Sequence, residues 1–162
     1  MIDEISTMSA SVQALFENKI FLATVLSLCS AQIIKVAVCI IGGRKKKLRE
    51  MVEILTWRTG GMPSSHAALV SSLCASVAFV EGIASNLFIF SFWFALVVLR
   101  DAMGVRRSAG LMAKALNDMG EQVSDKIGLD FRMVKEIQGH TPLEVIVGGL
   151  LGVSIAVSLI LF

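Results

Sequence analysis

Residues 58–70 read RTGGMPSSHAALV and place an arginine, two glycines, a proline, two serines and a histidine at the start of a long apolar run. The run continues to about residue 80. As a helix, residues 63–80 would be about 27 Å long, which is close to the thickness of a bilayer core. Polar groups at the mouth of such a segment would lie at a membrane boundary. We expect them to form an anion site there.

The composition of the whole chain is typical of a membrane protein. Of its 162 residues, 55% are hydrophobic and 17% are charged, and the mean hydropathy of +0.75 is well above that of soluble domains. The three cysteines lie in apolar runs, which argues against a disulfide framework or a metal site. The net charge of +2 does not by itself indicate a nucleic-acid partner. We expect one membrane domain, residues 1–162, with no cofactor.

Four apolar segments have the length of a transmembrane helix, or nearly so: residues 20–41, 63–80, 84–103 and 143–162. They predict an all-α fold, a polytopic membrane bundle of about four transmembrane helices. Two connecting stretches, RKKKLREMVEILTW (44–57) and RRSAGLMAKALNDMG (106–120), have helical periodicity. We expect these to be amphipathic helices along the cytoplasmic face, although either could pack wholly against protein. The spacing of Gly148 and Gly152 predicts close helix packing.

Basic residues are concentrated in two of the connections between spans. Six precede the second span and seven lie around or between the third and fourth, whereas the other side has Lys19 alone. The positive-inside rule then predicts cytoplasmic connections and non-cytoplasmic termini. Lys35 lies within the first span, where it should face the protein interior or a wet cavity. It is also about 9 Å from the end of the span, near enough to snorkel to the interface.

The two histidines of the chain, His66 and His140, both fall at the predicted cytoplasmic boundary. Their common depth, each beside a helix start, favours a shared functional site over two structural roles. Ser64 and Ser65 lie where helix N–H groups would be free to bind phosphate, but they could simply cap the helix. Arg58 offers a planar fork for phosphate oxygens and could equally be a membrane anchor.

Glu144 follows His140 by four residues in GHTPLEV (139–145). It could fix the tautomer of the imidazole, as a carboxylate does for a basic or nucleophilic histidine. Alternatively, Thr141, Pro142 and Glu144 fit a capping box at the start of the fourth span. The two interpretations are compatible, and the sequence leaves both open. We also expect Asp101 to pair with its neighbour Arg100 near the end of the third span.

Four stretches together resemble the divergent branch of the phosphatidic acid phosphatase type 2 superfamily, which is related to acid phosphatases and vanadium-dependent haloperoxidases. They are GGMPSSH (60–66), RDAMGVRRSAG (100–110), ALN (115–117) and GHTPLEVIVGGLLG (139–152). The resemblance extends from about residue 31 to residue 152. It implies metal-independent hydrolysis of a phosphate ester through a phosphohistidine.

The resemblance also implies roles for individual residues. PSSH (63–66) is similar to the P-S-G-H motif with Ser65 in place of glycine, so His66 would protonate the leaving group. His140 matches the nucleophilic histidine, and Glu144 occupies the position of the aspartate that orients it. Two basic positions are vacant: Val134 stands where an arginine is expected six residues before His140, and the K-x6-R-P motif is absent.

Other groups would then have to bind the phosphate. The candidates are Arg58, Ser64, Ser65, Lys35, Arg106 and Arg107. The resemblance implies a lipid or isoprenoid phosphate monoester or diphosphate as substrate, hydrolysed at the cytoplasmic membrane boundary. Because of the vacant positions, a catalytically inactive protein that binds anionic lipid headgroups or a protein partner is the alternative. A transporter component is a weaker one, and a homodimer is expected because four spans are few to enclose a polar site.

Overall fold

The computed structural model describes residues 2–41, 61–128, 130–136 and 139–162, and within them the only regular structure is helical. These residues form six helices: α1 (Ile2–Glu17), α2 (Lys19–Ile41), α3 (Ser65–Glu81), α4 (Asn86–Met103), α5 (Val105–Ile127) and α6 (Pro142–Leu161). The prediction of an all-α membrane helix bundle is confirmed. α1 was not predicted from the sequence.

Three stretches of the described chain are long and apolar enough to cross a membrane: α2, α4 with its continuation into α5, and α6. The fourth apolar helix, α3, has 17 residues, or about 26 Å, slightly less than the usual bilayer core. It lies at the centre of the bundle, where it packs against α2, α4 and α6. The four helices coincide with the predicted spans to within two residues. That all four cross the bilayer stays a prediction.

Small residues bring the helix backbones close together. The buried positions of α2 and α6 recur about every four residues and include Ala23, Ser27, Ala31 and Lys35 on α2, and Gly148, Gly152 and Ala156 on α6. A methyl group at Gly148 would overlap the carbonyl oxygen of Ser64, and one at Gly152 would overlap that of Ala68. This is how helices pack in membranes, where small residues allow close approach. The predicted close packing at these two glycines is confirmed.

Polar side chains mark where the helices begin. Three helices have a hydroxyl side chain as N-cap: Ser64 for α3, Ser85 for α4 and Thr141 for α6. The side chain of Asn18 accepts the Ile20 N–H at 2.9 Å and separates α1 from α2. Pro63 follows a cis peptide bond and precedes the cap of α3. Pro63 therefore lies just before α3, although its fixed φ would also have suited the first position of a helix.

The described residues between α5 and α6, 130–136 and 139–141, form a connector that runs back along α5 toward the start of α6. The buried side chain of Asn117 donates to the Val134 carbonyl oxygen at 2.9 Å and accepts the Val134 N–H at 2.8 Å. Further on, Gly139 lies against the backbone of Arg107, too close for any larger residue. These contacts return the chain to the end of the bundle where α4 stops and α6 begins.

The two predicted amphipathic helices have different outcomes. Residues 44–57, and Arg58 beside them, lie outside the described residues. Residues 106–120 form part of α5, so that helix is confirmed. Among the described helices α5 packs against α4 alone, and most of its apolar side chains are exposed. A contact between α5 and a membrane surface stays a prediction.

Candidate active site

The two histidines meet at one end of the bundle, where α2 and α4 finish and α3 and α6 begin. His66 lies in the first turn of α3, and His140 lies two residues before α6. Their ring centroids are 6.0 Å apart, and the ring planes are inclined by 64°. The backbone N–H of His140 donates to the carbonyl oxygen of Ala102 at 3.1 Å, which ties the second histidine to the end of α4. The structure therefore brings both predicted histidines together.

One carboxylate oxygen of Glu144 has two partners. Oε2 lies 3.2 Å from Nδ1 of His140 and accepts the backbone N–H of Thr141 at 2.9 Å. The Thr141 hydroxyl accepts the Glu144 N–H at 3.4 Å, which completes a capping box. Both arrangements that the sequence left open are thus present in the structure. Because the capping box holds the carboxylate in place, it favours the tautomer with the proton on Nδ1 and a lone pair on Nε2.

His140 is deeply placed. The residue is 2% exposed, and its Nε2 atom is buried without a hydrogen-bond partner. Leaving such an atom unpaired costs roughly 1–3 kcal/mol, and a chemical role is one of the reasons for which native proteins keep such a group. With the proton on Nδ1, Nε2 therefore keeps a lone pair to which no described residue donates a hydrogen bond.

Burial lowers the pKa of His140 below its ordinary value of 6.5, and the hydrogen bond and charge of Glu144 partly oppose this shift. The neutral imidazole therefore persists to a lower pH than in a free histidine. A neutral ring with its Nδ1 proton held by a carboxylate is the form that can act as a nucleophile through Nε2.

Lys35 brings a positive charge to the site from α2. It is 5% exposed, so it faces the protein interior and does not snorkel to the water, which decides between the two interpretations of the sequence. It lies within electrostatic reach of Glu144 and of both histidines. Its aliphatic stem lies beside Gly61, where a Cβ would be 3.6 Å from Lys35 Cγ. Gly61 has a φ of 90°, which glycine adopts without strain.

Arg106 brings a second positive charge from the start of α5. Its Nε donates to Oδ2 of Asp101 at 2.8 Å across the joint between α4 and α5. The expectation that Asp101 pairs with Arg100 is therefore wrong, because the helix joint brings Arg106 to the carboxylate. Arg106 and Asp101 are both within electrostatic reach of His66. Asp101 was not predicted as a site residue, since a five-residue spacing across a helix joint follows no helical period.

The remaining predicted phosphate ligands are placed less directly. Ser64 is fully buried, and its hydroxyl accepts the N–H three residues onward at 3.3 Å, so it acts as a helix cap. Ser65 is buried in the first turn of α3 beside it. Arg107 is exposed. Its backbone lies against Gly139, in the connector that leads to His140. Arg58 lies outside the described residues.

Backbone contacts between α3 and α6 set the separation of the two histidines. The N–H of Ser64 donates to the carbonyl oxygen of Glu144 at 3.0 Å. One turn further along α6, Gly148 lies against the carbonyl group of Ser64. Both contacts are within a few residues of His66 and His140. The site is therefore built on packed helix ends, which hold side chains more rigidly than a loop would.

Comparison with known proteins agrees with this architecture. The pattern of the Divergent PAP2 family matches residues 16–155. The chain is 37% identical to the protein described as uncharacterized membrane protein YuiD from Bacillus subtilis (strain 168), over an alignment of 161 residues that covers 91% of this chain and 98% of the relative. No solved structure shows a significant match. The protein is an integral membrane protein of the PAP2 type, and it belongs to the Divergent PAP2 family.

Proposed function

We propose that this protein is a membrane phosphatase that hydrolyses a lipid or isoprenoid phosphate monoester or diphosphate through a phosphohistidine at His140. The observation that carries the proposal is the pairing of His140 Nδ1 with Glu144 at 3.2 Å. It leaves the buried Nε2, near the second histidine, without a hydrogen-bond partner among the described residues. Membership in a PAP2-related family supports the same chemistry.

The reaction would take two steps. In the first, Nε2 of His140 attacks phosphorus, the bond from phosphorus to the ester oxygen breaks, and protonated His66 gives its proton to the leaving oxygen. In the second, neutral His66 takes a proton from a water molecule that attacks the phosphohistidine, and inorganic phosphate leaves as the P–N bond breaks. Glu144 stabilises the positive charge that forms on the His140 ring.

Lys35 and Arg106 are proposed to bind the phosphate oxygens. Both lie within electrostatic reach of His66 and His140, and they come from different helices, so they can approach a phosphoryl group from different sides. Positive charges fixed in a site of low dielectric stabilise the charge of a phosphoryl transition state. The first turn of α3, at Ser65, adds helix N–H groups and the positive end of the helix dipole.

The position of the site fits a lipid substrate. The charged groups of the site, Lys35, Arg106 and Glu144, lie at one end of the bundle, which is also the end of the basic connections, so we propose that the site is on the cytoplasmic side and both termini on the other. A lipid phosphate can hold its headgroup at this level while its chains remain in the bilayer.

The test is phosphate release by the purified protein in lipid nanodiscs, across a panel of lipid and isoprenoid phosphates with excess chelator. We expect release by the wild type and none by His140→Ala. His66→Ala should be partly rescued by an aryl phosphate, whose leaving group needs no proton. An alkaline quench should trap labelled phosphate on the wild type and on His66→Ala, but not on His140→Ala. Undiminished release by well-folded His140→Ala would refute the mechanism.

The burial of His140 favours a second candidate, a catalytically inactive protein that binds anionic lipid headgroups. A nucleophile must come within about 3–3.5 Å of the atom that it attacks, and a residue that is 2% exposed is reached only if the substrate displaces its neighbours. The inactive protein would bind lipid phosphate saturably, release no phosphate and tolerate His140→Ala. The nanodisc assay, run with a binding measurement, separates the two.

A further inference from the structure

Asp101 and Arg106 form an ion pair across the joint between α4 and α5. Arg106 Nε donates to Asp101 Oδ2 at 2.8 Å, and Gly104 is the single residue between the two helices. The side chains of the pair are 41% and 42% exposed, and ion pairs with such access to water contribute little to stability. The larger effect of the pair is therefore to fix the position of the Arg106 guanidinium.

The backbone on both sides of this joint contacts the segment that carries His140. The His140 N–H donates to the carbonyl oxygen of Ala102 at 3.1 Å, and Ala102 directly follows the aspartate of the pair. Gly139 lies against the backbone nitrogen of Arg107, the atom that links Arg107 to the arginine of the pair. Two backbone contacts, one on each side of the joint, therefore hold the ion pair next to His140.

Asp101 occupies one edge of the Arg106 guanidinium and leaves the other. A guanidinium group has five N–H groups in a fixed plane, one on Nε and four on the two Nη atoms. Among the described residues, the hydrogen bond from Nε is the only one that this side chain makes. The edge formed by the two Nη atoms is therefore free to bind two oxygens of one phosphate, as arginine commonly does.

Holding the arginine in advance strengthens the binding of an anion. Arg106 is within electrostatic reach of both His66 and His140, so its charge is already directed toward the site. A long side chain that is ordered only when the ligand arrives loses its rotamer freedom at that moment, which costs up to about tenfold in affinity. A side chain that a carboxylate already holds avoids most of this cost.

We propose that Asp101 is a positioning residue of the site, which holds Arg106 at Nε and so directs its Nη edge toward the phosphate oxygens of the substrate. This role rests on the proposed function, in which Arg106 binds those oxygens. Asp101 itself does not contact the phosphate, because two anions repel each other. Its effect on binding therefore passes through Arg106 and should disappear when Arg106 is removed.

The test is a double-mutant cycle for the binding of a long-chain alkylphosphonate to the protein in nanodiscs. The P–C bond of a phosphonate is not hydrolysed, so binding is measured whether or not the protein is an active phosphatase. We expect Asp101→Ala to raise Kd about tenfold in the wild-type background. In the Arg106→Ala background the same change should leave Kd unchanged or lower it, because an unpaired carboxylate repels the phosphonate.

Two further variants separate positioning from a general disturbance of the helix joint. Asp101→Asn keeps an oxygen that can accept the Nε–H, so it should raise Kd by only about threefold. Asp118→Ala is the matched control, since Asp118 is an exposed carboxylate on α5, 12 residues beyond Arg106 or roughly 18 Å along the helix. It changes the net charge equally and should leave Kd unchanged. The melting temperatures of the Asp101 and Asp118 variants should stay within about 3 °C of the wild type.

Equal rises in Kd for Asp101→Ala in the two backgrounds would overturn the proposal, because they would show that Asp101 does not act through Arg106. An unchanged Kd in the wild-type background would also overturn it, and so would an absence of phosphonate binding by the wild type. Phosphate release from lipid phosphates is measured on the same samples. Coupled effects on Kd without any phosphate release would refute the catalytic function and leave the role of Asp101 intact. Phosphate release with additive effects on Kd would do the reverse.

Discussion

Glu144→Gln separates the two roles of the Glu144 carboxylate, which caps the start of α6 and pairs with the ring of His140. In the structure Oε2 accepts the Thr141 N–H at 2.9 Å and lies 3.2 Å from His140 Nδ1. Glutamine also fits the third position of a capping box, so the cap largely survives. We expect the free energy of unfolding to fall by less than about 1 kcal/mol, because one charged acceptor becomes neutral. The effect on catalysis should be far larger, since a neutral amide cannot stabilise the His140 ring as it becomes positive.

Three proteins are compared for phosphate release and thermal unfolding in nanodiscs: wild type, Glu144→Gln and Thr141→Ala. We expect a loss of about 100-fold or more in kcat for Glu144→Gln, in the range of general acid–base contributions. Thr141→Ala removes the other half of the cap and should cost about 1 kcal/mol of stability. It should keep most of the activity, because the Thr141 backbone N–H still holds the carboxylate.

The pH dependence of kcat/KM provides an independent test of the role of Glu144. Burial lowers the pKa of His140, and Glu144 opposes that shift, so removing the carboxylate charge should lower this pKa further. The acidic limb of kcat/KM, which reports protonation of the nucleophile in the free enzyme, should move to lower pH in Glu144→Gln even as the rate falls. Equal losses of activity in Glu144→Gln and Thr141→Ala, or an acidic limb that moves to higher pH, would refute the orienting role.

Three further outcomes are expected. Gly148→Ala should destabilise the bundle by about 1–3 kcal/mol in thermal unfolding, because its methyl group meets the Ser64 carbonyl oxygen; an unchanged melting temperature would contradict that contact. Lys35→Met should raise KM for a lipid phosphate at least about tenfold without lowering stability, since it removes a buried cation; an unchanged KM would exclude Lys35 from substrate binding. Because the pKa of folded His140 lies below 6.5, the unfolded chain binds more protons below that value, so stability should fall as the pH drops through 6.5 toward the folded pKa. His140→Gln should flatten that part of the stability curve.

The fold was largely predictable because a bilayer restricts the chain to apolar helices of fixed length. The four apolar helices coincide with the predicted spans to within two residues. Successive spans cross a bilayer in opposite directions, so every second span starts at the same face. For this reason the sequence predicted a common level for His66 and His140. The capping box at Thr141 was readable as well, because it depends on neighbours in the sequence.

What the sequence could not show depends on contacts between distant residues. The Asp101–Arg106 pair crosses a helix joint whose angle has no sequence signature. The connector is fastened to α5 by Asn117, whose side chain looked like one more polar residue on an amphipathic helix. α1 was missed because its residues lack the strong apolar run that marked the other helices.

The vacant arginine position illustrates why motif spacing alone is a weak guide to this site. Val134 stands six residues before His140, but its backbone is tied to Asn117, whereas Gly139 lies against Arg107. Asn117 and Arg107 are ten residues apart on α5, or roughly 15 Å. An arginine side chain at position 134 would have to span most of that distance to reach the histidines. With the connector so placed, positive charge has to come from other helices, and Arg106 and Lys35 supply it where the fold brings α5 and α2 to the histidine pair.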